Sequence, residues 1–258
     1  MEKKRLAHIR EEFLEGIGVP EGGNFSPDPF QLEAIDSLKN GFDTLVVAPT
    51  GAGKTFIASE GIRAVVEAGK RAVYTAPLKA LSNAKYAEFK TRFEPKHSVG
   101  LLTGDRKIGG DASIVVATTE IYRNELYRSS DNYALVVLDE LHYLADSQRG
   151  AVWEESIILS PRTSALLMLS ASISNPQEIA AWIEEIRGKK VTIVRVTERP
   201  VELRFGFLHP EKGILPIEDE QERVLPEVAR FYSAEREGDP RMRFGGKGRG
   251  RGRRGGRR

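Results

Sequence analysis

Apolar residues along this chain fall into short unbroken runs, separated by longer stretches in which they recur every three or four positions. The runs lie at 44–48, 72–76, 98–102, 113–117, 134–138, 165–169 and 191–196, and most are β-branched. Strands that are apolar throughout are those buried on both faces of a sheet. Helical spacing fills the intervals near 54–68, 79–91, 119–128, 150–159 and 176–187. The alternation predicts an α/β domain with a mostly parallel sheet, helices on both faces, and ligand-binding loops along the rim at the strand C-termini.

The flanks follow other patterns. Leu6, Ile9, Phe13 and Leu14 outline an amphipathic helix over 1–19 that Gly16 and Gly18 close. A loop over 20–29 leads into a helix with Asp28 as N-cap and Pro29 in its first turn, carrying Phe30, Ala34, Ile35 and Leu38 on one side. After Val196 the pattern loosens: Val201–Phe207 alternates as a strand and 217–236 reads as a charged helix. Beyond Pro240 the Gly-Arg repeat has nothing to bury and is expected to be disordered. The expected organisation is therefore an N-terminal helical extension and loop (1–23), the α/β domain (24–209), a helical linker (210–240) and a basic tail (241–258).

Charge sharpens that last boundary. Residues 241–258 hold nine of the 39 Lys and Arg and no acid, which leaves 30 basic against 37 acidic groups in residues 1–240. An acidic body must bind phosphate through local groups, not through its overall field. The tail has two open readings, a sequence-tolerant nucleic-acid-binding arm or a linker whose charge aids solubility. No aromatic residue follows Phe244 to serve as a stacking platform. No apolar run is long enough for a membrane helix, no secretory signal opens the chain, and cysteine is absent. These features predict a cytoplasmic protein with no membrane partner.

Chemistry enters at Ala48-Pro49-Thr50-Gly51-Ala52-Gly53-Lys54-Thr55, between the run Leu45-Val46-Val47 and a helix start. Strand, glycine-rich turn and helix in that order are the context of a phosphate-binding loop. Gly51 and Gly53 let backbone N–H groups point inward, and the helix start adds its dipole. Lys54 supplies a full charge for the β- and γ-phosphates, and the Thr55 hydroxyl is a ligand for Mg²⁺. Ala48 stands where the pattern usually has glycine. A second signal is Asp139-Glu140-Leu141-His142, closing the run Leu135-Val136-Val137. On the same rim, Asp139 is placed to hold Mg²⁺ through water, and Glu140 to orient or deprotonate an attacking water. Each motif alone has a plain structural reading, as a tight turn or a helix cap. Together they favour the nucleotide site.

These two motifs resemble the DExH branch of the superfamily-two helicases, and further segments extend the likeness over roughly 24–209. Tyr74-Thr75-Ala76-Pro77-Leu78-Lys79-Ala80-Leu81-Ser82-Asn83 is similar to motif Ia of the superkiller (Ski-type) group, with bacterial members looking closest. Thr103-Gly104-Asp105, Ala117-Thr118-Thr119, Arg149–Glu155 and Leu169-Ser170-Ala171-Ser172 resemble later motifs, with Ser172 where the group usually has threonine.

The resemblance implies a RecA-like phosphate-loop domain using ATP and Mg²⁺, with Lys54, Asp139 and Glu140 as catalytic residues. It implies that Gln31 reads adenine while Phe25 stacks on it, and that His142, Ser170 and Ser172 couple nucleotide to strand. Lys79, Ser82, Asn83, Thr103, Gly104, Thr118 and Thr119 would then offer donors to a single-stranded backbone, RNA in preference to DNA. Lys85, Lys90 and Arg92 read as a solvated helix face. Hydrolysis in such motors is completed by arginines of a second RecA-like domain. Arg162, Arg187, Arg195 and Arg199 are too scattered to fill that role. The expectation is a monomeric first motor domain, part of a longer protein, that binds nucleotide and hydrolyses it poorly alone. Two alternatives stay open: a DNA helicase of the same superfamily, or a catalytically idle nucleic-acid-binding module.

Overall fold

The computed structural model describes residues 2–15, 26–128, 133–199, 203–219 and 222–238. Phe25, the glycines proposed to end the first helix and the tail 241–258 lie outside them. In order the elements are α1 (Glu2–Leu14), α2 (Pro29–Lys39), β1 (Asp43–Val47), α3 (Lys54–Glu67), β2 (Arg71–Ala76), α4 (Lys79–Phe93), β3 (Val99–Leu102), β4 (Lys107–Ile108), β5 (Ile114–Thr118) and α5 (Thr119–Arg128). There follow β6 (Tyr133–Leu138), a 3-10 turn at Leu141–Ala145, α6 (Gly150–Leu159), β7 (Ala165–Ser170), α7 (Pro176–Arg187), β8 (Val191–Arg195), β9 (Gly206–His209), β10 (Gly213–Pro216) and α8 (Pro226–Gly238). Contacts divide the chain into Asn24–Val201 and a second unit of Met1–Gly23 with Glu202–Arg258.

The larger unit is an eight-stranded sheet in the order β4-β3-β5-β2-β6-β7-β1-β8, parallel at every pairing except β3 with β4. Successive side chains alternate between two cores. Val46, Tyr74, Val116 and Val137 pack under Ala34, Ile57, Ile62, Phe89 and Phe93 of α2, α3 and α4. Leu45, Val73, Val115 and Val136 pack under Tyr122, Trp153, Ile157 and Ile183 of α5, α6 and α7. This is the RecA-like arrangement, and the uninterrupted hydrophobicity of the strands follows from burial on both faces.

Strand order sorts the chemistry. β1, β6 and β7, which lead to the phosphate loop, Asp139 and Ser170, lie among the last four strands. β2, β5 and β3, which lead to the residues proposed to meet nucleic acid, lie together on the other side. The halves meet where β2 pairs with β6.

At the opposite ends of the strands sits a buried ion pair. Arg187 Nε donates to Asp43 Oδ2 at 2.6 Å, its other nitrogens bond the carbonyls of Ser160, Pro161 and Ser164, and Asp43 Oδ1 accepts from Leu166 N–H. Arg187 thus fastens β1, β7 and α7 and takes no part in the rim.

The second unit contains α1, the antiparallel pair β9–β10 and α8. Arg204 donates to the carbonyls of Phe13 and Glu15, satisfying acceptors that α1 leaves free at its end. Three sequence expectations differ here. The α/β unit ends at Val201, whereas the sequence pattern carries it to 209, because β9 pairs with β10 and not with the large sheet. Of the strand expected over 201–207, only Gly206–Phe207 lies in a described strand, and β9 continues to His209. The helix expected from 217 begins at Pro226, where proline suits the first turn, after Leu225 N–H has bonded Ile217 O.

Candidate functional site

The phosphate loop follows β1 as the sequence pattern requires. Gly51 and Gly53 have φ of +91° and +77°, values that only glycine adopts without strain. Gly53 is also confined sterically, since a Cβ there would run into the Gln31 side-chain amide. Gln31 is buried against the loop: its amide donates to Ala52 O at 3.1 Å, while its oxygen accepts from Asp28 N–H at 3.0 Å. Lys54 Nζ donates to the loop's own carbonyls, Ala48 O at 2.6 Å and Pro49 O at 3.0 Å. Burial holds its ammonium below the usual lysine range, against the opposing pull of Glu140 and Asp139. Thr50 and Gly51 are exposed, and Ala52 is buried beneath them.

Asp139 is fixed through both oxygens. Oδ1 accepts Glu140 N–H at 2.9 Å, and Oδ2 accepts the hydroxyl of Tyr74 from the adjacent strand β2. Burial, reinforced by Asp139, raises the Tyr74 phenol well above its ordinary range, so it remains a donor. Glu140 has φ +54°, a left-handed conformation that costs a non-glycine residue on the order of 1–3 kcal/mol and tends to mark functional sites. Its carboxyl is raised from the ordinary range by burial first and the Asp139 charge second, with His142 and Lys54 opposing. Glu140 Oε2 is buried and lies 3.2 Å from His142 Nδ1, at ion-pair distance, without accepting a hydrogen bond.

Among the described residues no cluster of three or more His, Asp or Glu could hold a metal unaided. The donors that do exist, the Thr55 hydroxyl and the Asp139 carboxylate, are hard oxygens. They suit Mg²⁺, which keeps most of its water and takes phosphate oxygens from its substrate. The residues fit that ion.

Ser170 Oγ donates to Ser172 O at 3.3 Å, and Ser170 O accepts Ala48 N–H at 3.0 Å, which ties the phosphate loop to the segment after β7. Beside this tie opens a cavity of about 760 Å³ whose walls include Pro49, Leu141, His142, Ser172, Ile173 and Arg195.

On the other half of the rim, α4 and α5 begin at the C-terminal ends of the neighbouring strands β2 and β5, so their free N–H groups face one side. Lys79 Nζ lies 3.2 Å from Asp105 Oδ1, and both side chains are exposed. Asn83 donates to Lys79 O at 2.7 Å and accepts from Arg106, a cation the sequence pattern had not singled out. Thr103 Oγ1 donates to Asp105 Oδ1 at 2.9 Å, beside the exposed Gly104.

Several sequence expectations are corrected here. Ser82 offers no hydroxyl to a ligand: it is fully buried and donates to Leu78 O and Ala117 O at 3.2 Å each, clamping α4 to β5. Thr118 and Thr119 are buried as whole residues too, so neither offers an exposed donor to a ligand. Lys85 is no solvated residue. It reaches from α4 to donate to Thr55 Oγ1 at 2.9 Å, with Glu88 Oε2 also at 2.9 Å. Tyr74 was missed as a site residue as well. The available signal was its hydroxyl inside an apolar strand, since a buried phenol needs a partner.

Comparison with known proteins agrees with this geometry. Residues 28–179 match the family model described as DEAD/DEAH box helicase. Over 231 residues the chain is 46% identical to an Arabidopsis thaliana protein described as the chloroplastic DExH-box ATP-dependent RNA helicase DExH15, covering 85% of this chain and 20% of that one. It is 40% identical to the probable helicase HelY of Mycobacterium leprae, covering 86% and 25%. It is 38% identical to the antiviral helicase SKI2 of Saccharomyces cerevisiae, covering 85% and 17%. The chain thus spans a quarter or less of the length of these relatives, and the identities do not single out the bacterial member. The crystal structure of the DUF1998 helicase MrfA bound to DNA shares the fold, with a TM-score of 0.55 at 20% identity over 72% of this chain and 29% of that one.

Proposed function

The chain belongs to the DEAD/DEAH box helicase family, and from that premise we propose that it is the first RecA-like motor domain of a cytoplasmic, ATP-dependent RNA helicase of the Ski2 and HelY type. The observation that carries the reading is the convergence of Lys54, Thr55, Asp139 and Glu140 on one rim, with Asp139 locked by two donors and both carboxylates near enough to act on the Lys54 charge.

Lys54 leaves its two carbonyls to meet the β- and γ-phosphates of ATP, with the N–H groups of 51–55 completing the cradle. Thr55 and Asp139 would hold Mg²⁺, which when bound neutralises charge on the phosphate oxygens. Glu140 receives the attacking water at its carboxylate and orients or deprotonates it. Gln31, already seated against the loop, reads the adenine edge, and Phe25 stacks on the ring. His142, Ser170 and Ser172, beside the cavity, relay the nucleotide state. Lys79, Asn83, Gly104 and the helix start at Lys79 grip a single strand by its backbone, which suits a motor that must pass any sequence. A second RecA-like domain supplies the arginines that complete hydrolysis, a contribution worth about 10³–10⁵ in turnover.

Preference for RNA rests on the relatives' descriptions and on the motif around Lys79. It is tested by anisotropy with fluorescent single strands of one sequence, made as RNA and as DNA. Tighter binding of RNA is expected, because the 2′-hydroxyl is what distinguishes the two. Equal or DNA-favoured binding would overturn the RNA assignment and leave the nucleotide site untouched.

A further inference from the structure

Among the described residues, two of the side-chain links that cross from the nucleic-acid half of the sheet to the nucleotide half end on a proposed metal ligand. One is Tyr74 of β2, whose hydroxyl donates to Asp139. The other is Lys85 of α4, whose ammonium donates to Thr55 Oγ1 at 2.9 Å. Lys85 differs from its neighbours on the helix. Its side chain is 20% exposed, whereas those of Lys79 and Lys90 are 57% and 53% exposed. It is held from three sides: by Thr55, by Glu88 Oε2 at 2.9 Å, and by the Tyr74 ring, whose centroid is 5.9 Å from Nζ. A protein-borne cation therefore sits on the hydroxyl oxygen that Mg²⁺ would take.

Resting on the nucleotide-site reading above, we infer that Lys85 is a resident cation that occupies the metal's place at Thr55 while nucleotide is absent, and that it must be expelled for Mg²⁺ and nucleotide to bind. The physical ground is charge. An ammonium and a divalent ion within bonding reach of one oxygen repel each other strongly in a partly desolvated site. The Thr55 hydroxyl has lone pairs enough for two hydrogen bonds, but not for two cations side by side. Glu88, one helical turn further along, retains the ammonium once it is released. Lys85 thereby becomes a positioning residue with a coupling role. The helix that carries it also presents Lys79 and Asn83, so α4 is tied to the phosphate loop in the empty state and untied in the loaded one. By linkage, a strand that favours untied α4 strengthens nucleotide binding by the same factor that nucleotide strengthens strand binding.

The test compares wild type with Lys85→Met, which keeps the stem and removes both charge and donor, and Lys85→Gln, which removes the charge but keeps a donor for Thr55. The readout is the Mg²⁺ concentration that half-saturates binding of a fluorescent ADP, followed by fluorescence with no turnover involved. Both variants are expected to lower that concentration about tenfold. Both should also bring the ratio of single-stranded RNA affinities, with and without Mg²⁺ and a non-hydrolysable ATP analogue, towards one. If Lys85→Gln behaved as wild type while Lys85→Met bound Mg²⁺ more weakly, Lys85 would be a structural tie and the inference would be overturned. Unchanged Mg²⁺ dependence in both variants would overturn it equally. Wild-type protein binding the nucleotide with no Mg²⁺ dependence would instead contradict the nucleotide-site reading itself.

Discussion

Asp139 and Glu140 are adjacent in sequence but are held in opposite ways, and their substitutions should separate accordingly. Both Asp139 oxygens accept hydrogen bonds, from Tyr74 and from the Glu140 N–H. An amide at 139 must turn its NH₂ against one of these donors, so Asp139→Asn is expected to weaken Mg²⁺-dependent nucleotide binding as well as turnover. Glu140 Oε2 accepts no hydrogen bond, its near neighbour being His142 Nδ1 at 3.2 Å, so Glu140→Gln should leave binding nearly unchanged and cost on the order of 10²–10⁴ in hydrolysis. Single-turnover hydrolysis and nucleotide binding, measured on the full-length protein, read the two effects apart. Normal turnover by Glu140→Gln would refute the general-base role. At this scale the sequence was legible where only one residue type fits the backbone, as with Gly53, whose φ is +77°. It was opaque for Lys85, Ser82 and Thr119. Whether a lysine or hydroxyl on a short helix faces solvent, strand or loop depends on how that helix lies on the sheet.

Elements were easier to read, because burial on both faces leaves a strand no choice of residue and so writes its position into the chain. The strands expected over 44–196 and the helices between them all recur in the structure within a residue or two of their bounds. β4 escaped notice because it is two exposed residues at an edge, Lys107 and Ile108, where charge guards against further pairing. Arg187 shows the limit of pattern at this level. As one of four scattered arginines it had no assignable role, yet it joins β1, β7 and α7 by a buried pair with Asp43 and three carbonyls. Arg187→Ala leaves that carboxylate with Leu166 N–H and Lys189, the latter at 3.5 Å. The expected loss is about 3 kcal/mol, at the lower end for a broken buried pair. Urea denaturation should show it as a fall in midpoint at constant slope, while nucleotide affinity of the folded protein stays unchanged because the pair lies at the far ends of the strands. Undiminished stability would mean that the pair fastens nothing.

For the whole molecule, strand order puts the residues proposed to hold nucleotide on one half of a single rim and those proposed to grip a strand on the other. That order could not be read from the sequence, which gives the succession of strands and not their neighbours. The division of the chain was only partly legible, because β9 is a strand by pattern and only its pairing with β10 shows which unit it joins. Net charge adds a second division, between the acidic residues 1–240 and the nine cations of 241–258, which lie outside the described structure. Everything proposed above depends on the rim being a working nucleotide site rather than the remnant of one in an idle nucleic-acid-binding module. Titration calorimetry of this chain with ATP and Mg²⁺, on wild type and on Lys54→Ala, tests that most directly. A working site gives saturable one-to-one binding by wild type, with ATP preferred over GTP, and loss of most of that affinity in the variant. Absence of binding by wild type, or equal binding by both proteins, would mean that the rim is no such site.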